Sequence, residues 1–331
     1  MNKENTGEVE TSGIKRSKYE IDMCNGTIMD KLISFALPLM LSGVLQLMFN
    51  AVDIIVVGRF TGSQALAAVG STSALINIFT NLFIGISLGS NVLAARFYAA
   101  GKSKEMSETV HTSITIALIS GIIMAFVGAI FAKGALELMD TPDDVIDQSV
   151  LYMRIYFMGM PFFMLYNYGA AILRAVGDTK RPLLFLIISG ITNAVLNLIL
   201  VIVFGLGVAG VAIATVIAQL ISCVLVLACL CRSQSSYRLY FNKLGIRGDY
   251  MVQIFKVGVP AGIQSVVINF SNALLQSSVN SFGSTAMAGY TAANNLLGFL
   301  YVSINSVTQA CMSFTSQNLG VGKFKRMDRV L

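Results

Sequence analysis

The chain has 331 residues, of which 55% are hydrophobic and only 12% charged, and its mean hydropathy is +0.72. Soluble globular domains carry about 25% charged residues, so a large soluble core is excluded and a polytopic membrane protein is indicated. The formal net charge of +6 does not by itself imply a nucleic-acid partner; the placement of the charges accounts for it in another way.

Residues 1–31 are polar and hold six acids, which does not fit a cleavable signal peptide. They read as a flexible cytoplasmic tail. Eight apolar segments follow, at 32–58, 65–95, 111–132, 151–173, 183–204, 208–231, 252–281 and 286–315. A helix of about 20 apolar residues crosses a bilayer. In lipid the backbone must satisfy its own polar groups, so these segments are expected to be helices, the longer ones tilted or extending beyond the bilayer. Pro38, Pro161 and Pro260 are expected to kink them, and glycines such as Gly85, Gly89 and Gly262 to let them approach closely.

With the N-terminus placed inside, the inner regions 1–31, 96–110, 174–182, 232–256 and 316–331 hold 20 of the 23 Lys and Arg. The other side keeps Arg59, Lys133 and Arg154, together with the acids Glu137, Asp140, Asp143, Asp144 and Asp147. This asymmetry predicts eight spans in a cell membrane with a cytoplasmic N-terminus, and it explains the basic balance without nucleic acid. In the acidic loop, Thr141, Pro142 and Asp143-Asp144 read as an N-cap, a proline at the first helical position and acids in the first turn.

Of 17 acids, only Asp53 falls inside a span. An ionisable group at that depth is costly and marks function by default. Gln46, Asn50 and Asp53 share one helical face. Asn193 and Asn197 are one turn apart on the fifth span, beside Thr192, and Thr215 and Gln219 are one turn apart on the sixth. Further amide stripes run along the seventh (Asn269, Asn272, Gln276, Asn280) and the eighth (Asn294, Asn305, Gln309). One reading is interhelical hydrogen bonding, at about 0.6 kcal/mol per pair. The other is a water-filled cavity at a lobe interface, with Gln46, Asn50, Asn272, Gln276 and Asn305 on the substrate pathway. Asp53 either exchanges a proton or holds a hard cation such as Na⁺, with amide carbonyls and a hydroxyl as further ligands. A salt bridge to Arg59 or Arg154 competes with both.

The start of the chain returns near its end. Pro38 matches Pro260 and Asn50-Ala51 matches Asn272-Ala273 at a shift of 222; Ala65 matches Ala286 and Gly101-Lys102 matches Gly322-Lys323 at a shift of 221. Six spans separate the copies, so they are read as parallel repeats. The fold expected is all-α: a six-helix lobe at 32–231, a cytoplasmic linker at 232–251, and the first two helices of a second lobe at 252–331. The sequence is then a fragment lacking about four helices, or it pairs with another chain.

Enzyme chemistry finds no support. Gly101-Lys102-Ser103 resembles the end of a phosphate-binding loop, but Arg96 stands where that motif needs glycine. A single histidine, His111, and five cysteines without CxxC spacing speak against a metal centre. Neither an enzyme nor a cofactor is expected, and any transport is driven by an ion gradient.

QLMFNAVDIIVVGRFTGSQALAAVG (46–70), RAVGDTKRP (174–182) and NAVLNLILVIVFGLGVAGVAIAT (193–215) resemble the MATE family, the multidrug and toxic compound extrusion transporters. The resemblance runs over 32–331. It implies twelve helices in two lobes, alternating access, and antiport of small organic cations or drugs against H⁺ or Na⁺. It also implies a cation-coupling site at Asp53, Asn193, Asn197 and Thr215. Asn197 stands where some members have a second acid, which leaves the coupling ion open. Alternative functions are a lipid-linked precursor flippase of the same superfamily and an uncoupled channel or membrane scaffold.

Overall fold

The computed structural model describes residues 18–139, 141–280 and 284–330, apart from the side chains at 74, 273, 276, 277, 280, 284–289, 291, 292, 295 and 296. Ten α-helices account for most of the described residues, which contain no strand. In chain order they are α1 (Ile28–Phe60), α2 (Ser63–Ala99), α3 (Ser103–Glu137), α4 (Asp143–Met158), α5 (Met160–Ala175), α6 (Lys180–Leu198), α7 (Gly207–Arg232), α8 (Gly248–Asn280), α9 (Ser284–Gly320) and α10 (Phe324–Val330). A π-helical segment at Ile199–Val203 extends α6. The chain is an all-α, multi-pass membrane protein.

Among the described residues six helices are long and apolar enough to cross a bilayer: α1, α2, α3, α6 with its extension, α7 and α8. The other two of the eight expected spans differ in instructive ways. Segment 151–173 is divided between α4 and α5, each 16 residues and too short alone. The break falls at Gly159, because Pro161 has no N–H to continue the ladder. α9 is 37 residues long, but its polar residues dilute its apolarity. In the acidic loop the cap is shifted by one residue. Pro142, not Thr141, occupies the N-cap position, without a side-chain cap, and its carbonyl accepts the amides of Val145 and Ile146 at 3.0 Å.

The internal repeat is visible in the backbone. α1 and α8 are both 33 residues long, and α2 and α9 are both 37. The turn after each copy's second helix is also the same. Gly101 and Gly322 have φ of 68° and 71°, a left-handed turn that glycine enters without strain. Lys102 N–H closes on Phe97 at 3.1 Å, and Lys323 N–H on Asn318 at 2.9 Å. Pro38 and Pro260 lie inside α1 and α8, each leaving a gap in its helix's hydrogen-bond ladder.

The largest buried cluster runs through the first six crossings, with Tyr98, Met106, Phe157, Met164 and Tyr168 among its fully or nearly buried members. α8 joins it across a glycine seam. A Cβ added at Gly85 of α2 would lie 2.2 Å from the Gly262 Cα. A Cβ at Gly89 would lie 2.1 Å from the Ile254 carbonyl oxygen. Backbones in contact leave no room for side chains, and such approach is what small residues provide between helices in lipid.

The seam runs toward the face that carries the α2–α3 turn, the α5–α6 loop and the α7–α8 linker, called the basic face below. In the α5–α6 loop the Asp178 carboxylate is fully buried and paired with the Arg181 guanidinium and backbone N–H. Burial pushes the Asp178 carboxyl up from its usual range, and Arg181 opposes that shift.

On the same face the N-terminal segment departs from the expectation of a flexible tail. Residues 18–27 form an ordered strap. Met23 is fully buried in a small cluster with Phe35 and Leu39 of α1 and Phe314 of α9. Burying such a side chain contributes about 1.5–3 kcal/mol, enough to hold a segment that the sequence marks only as polar.

Candidate functional site

Asp53 lies on α1, one helical turn from Asn50 and two from Gln46. All three side chains line a cavity of about 540 Å³. The cavity is enclosed by α1, α2, α4, α5, α6 and α7, and so belongs to the first six crossings. The lobe-interface location read from the sequence is not what the structure shows.

Four of the sequence-predicted residues form one hydrogen-bonded chain. Asn197 donates through Nδ2 to an Asp53 carboxylate oxygen and, at 3.3 Å, to Asn193 Oδ1. Asn193 Nδ2 donates at 3.3 Å to Thr215 Oγ1, which itself donates to the Val211 carbonyl at 3.0 Å. The spacing explains the register: Asn193 and Asn197 are one turn apart on α6, and Thr215 faces them from α7. Asn197 is fully buried and its Oδ1 has no hydrogen-bond partner. A buried carbonyl oxygen without a donor is costly, and here it sits beside a carboxylate.

The competing salt bridge is absent. Asp53 has no ion-pair partner among the described residues. Arg154 donates instead to the Ala129 carbonyl at 3.2 Å, and Arg59 is exposed at the end of α1. Among the described residues the donor to Asp53 is therefore the neutral amide of Asn197, and the carboxylate lines the cavity. The arrangement offers one carboxylate, two amides and a hydroxyl, which can take up a proton or coordinate a hard cation.

The tentative pathway residues divide. Gln46 and Asn50 line the cavity. Asn272 of α8 and Asn305 of α9 are exposed and do not. The Gln276 side chain lies outside the described residues.

The cavity also draws on residues that the sequence reading passed over. Asn77 and Asn81 of α2, Tyr152 and Tyr156 of α4, and Tyr166 and Asn167 of α5 all line it. Tyr152 and Tyr156 stack at 6.1 Å between ring centres. Their signal was present as i, i+4 pairs, Asn77/Asn81 and Tyr152/Tyr156. The broken α4–α5 crossing hid which face of that segment turns inward. A second cavity, about 650 Å³, lies at the basic face between α3 and the α7–α8 linker. Its cations Lys104, Lys243 and Arg247 are offset by Glu108 and, nearby, by Asp249, so it offers no clear charge preference.

The MatE family model matches residues 38–199 and 260–331, the two stretches that begin at Pro38 and Pro260. The chain belongs to the MATE family. This MATE chain is 35% identical over 306 residues to the probable multidrug resistance protein YoeA of Bacillus subtilis, covering 90% of this chain and 66% of that protein. It is 23% identical to the FAD transporter of Shewanella oneidensis, covering 91% and 67%. It superposes with a TM-score of 0.88 on the outward-facing conformation of a multidrug resistance MATE family transporter, at 20% identity and covering 96% and 70%. The chain spans about two thirds of the length of the curated relatives it matches.

Proposed function

We propose that this MATE chain forms the first lobe, and the beginning of the second, of a secondary antiporter that exports small organic cations or drugs against H⁺ or Na⁺. Asp53, Asn197, Asn193 and Thr215 are the coupling site. One observation carries this reading: a membrane-embedded carboxylate, with no cationic partner among the described residues, opens on a cavity and accepts the Asn197 amide from another helix. An acid kept for stability would be paired. This one is placed to gain and lose a positive charge.

The cycle follows from charge and geometry. While Asp53 is ionised, it attracts a cationic substrate into a cavity walled by tyrosine rings and amides. Uptake of H⁺ or Na⁺ neutralises the carboxylate, and the substrate loses its electrostatic partner. α1 bends near Pro38, where its ladder is interrupted, and the substrate leaves on the acidic side. The two lobes then rock, and the ion is released at the basic face, which is cytoplasmic.

The substrate class rests on the multidrug resistance and multidrug export proteins among the relatives; a separate relative is named FAD transporter. The test is efflux of a fluorescent organic cation from proteoliposomes holding the full-length protein, under an imposed proton or sodium gradient. Asp53→Asn is expected to abolish gradient-driven efflux while leaving dye binding measurable. Unchanged, still ion-dependent efflux by Asp53→Asn would remove the coupling role. Efflux without any gradient would favour an uncoupled channel.

A further inference from the structure

We propose that residues 18–27 are a latch. They clasp the start of the second repeat to the first six crossings at the basic face, and that face opens only when they leave. The inference rests on the export cycle proposed above, because it names a contact which that cycle must break.

The strap is bonded on both sides of the seam. Toward the first six crossings, one oxygen of Glu20 accepts the hydroxyl of Tyr98, at the end of α2, at 2.7 Å. The other accepts the hydroxyl of Tyr237, beyond α7, at 2.8 Å. Ile21 N–H donates to the Gly177 carbonyl at 3.2 Å. Gly177 has φ of 94°, and a Cβ there would lie 2.5 Å from the Ile21 carbonyl oxygen. The α5–α6 loop is therefore shaped to receive the strap.

Toward the second repeat, the Met23 carbonyl accepts Asn318 Nδ2 of α9 and Arg326 Nε of α10, each at 3.2 Å. The Cys24 carbonyl accepts Lys323 Nζ at 3.0 Å. Between these two sets, the Met23 side chain is fully buried against Phe35 of α1 and Phe314 of α9. One short segment thus ties both sides and plugs the join.

The seam beneath the strap is closed directly as well. Gln317 of α9 donates to the Ala175 carbonyl of α5 at 2.7 Å, and Ser313 to Asn91 of α2 at 3.1 Å. Helices joined there cannot separate to open a path while the strap spans them. The strap is held largely by polar bonds, and those from Lys323 to Asn25 and from Arg326 to Asn25 and Gly26 are exposed, where water replaces them at small net cost. That suits a clasp released once per cycle better than a permanent staple.

The test uses the full-length protein in proteoliposomes, with every cysteine but Cys24 replaced. Cys24 is buried in the strap, so its alkylation by N-ethylmaleimide reads strap release. At rest, labelling is expected to be about tenfold slower than in Glu20→Ala/Asn318→Ala, which corresponds to about 1.4 kcal/mol. An imposed ion gradient with ethidium present should accelerate it severalfold. Resting labelling as fast as in the denatured chain, or no acceleration during turnover, overturns the latch.

A second arm bridges Asn25→Cys to Lys323→Cys, whose native side chains bond at 2.8 Å, with a reducible bis-methanethiosulfonate. Ethidium efflux is expected to stop when the bridge forms and to return on reduction. Undiminished efflux with the bridge in place also overturns the proposal. Absence of efflux from the unbridged protein would count against the export reading, not against the seated strap, which the alkylation rates decide alone.

Discussion

Asn197 is the residue on which the candidate site turns, because its one amide group serves both Asp53 and Asn193. Asn197→Ala removes both donations. Hydrogen bonds to charged groups contribute about 1.5–3 kcal/mol, so the ion concentration for half-maximal efflux should rise about 10- to 100-fold. Thr215→Ala, one step further from the carboxylate, should change it less; an equal or larger effect would break the order inferred for the chain. A second residue-scale prediction concerns Asp178, which is buried and paired with Arg181. Asp178→Ala leaves the guanidinium without its carboxylate and should cost about 3 kcal/mol of stability. A thermal unfolding midpoint matching wild type in detergent would show that Tyr237 and the Cys229 thiol, which Arg181 also contacts, suffice alone.

At the scale of elements, the α2–α8 seam is set by glycine. Gly85→Ala would press a methyl group onto the Gly262 backbone, and overpacking of this kind costs about 1–3 kcal/mol. Gly70→Ala, with nothing within 4 Å of the new Cβ, is the control and should be neutral or slightly stabilising. Equal unfolding midpoints for the two variants would mean that the helices part easily there. Most elements were legible in the sequence, since long apolar runs have one structural outcome in lipid. The break at Gly159 was not, because Pro161 within an apolar stretch reads equally as a kink. The repeat was readable from Pro38/Pro260 and Gly101/Gly322, residues whose backbone chemistry cannot be replaced without changing the helix or the turn.

For the whole molecule, charge asymmetry predicts sidedness. In intact cells a membrane-impermeant maleimide should label Asp144→Cys, in the acidic region, and not Lys104→Cys, at the basic face. The reverse pattern would invert the orientation and with it the direction of transport. Each position is tested in a background with the five native cysteines replaced, since the reagent would otherwise report on them.

The sequence by itself determined the class of the molecule, most of its helices, its repeat and the one acid that falls inside a span. These follow from hydropathy, periodicity and charge count, which are local properties of the chain. It also pointed to Asn193, Asn197 and Thr215, through the family resemblance. Only the tertiary structure decided that these side chains meet Asp53, that the arginines do not, and that the cavity lies within the first six crossings. Only the structure, too, turned residues 18–27 from a polar tail into a strap. A bond between Glu20 and Tyr237, or between Met23 and Asn318, joins positions hundreds of residues apart. No local pattern encodes such a bond; it exists only once the helices have packed.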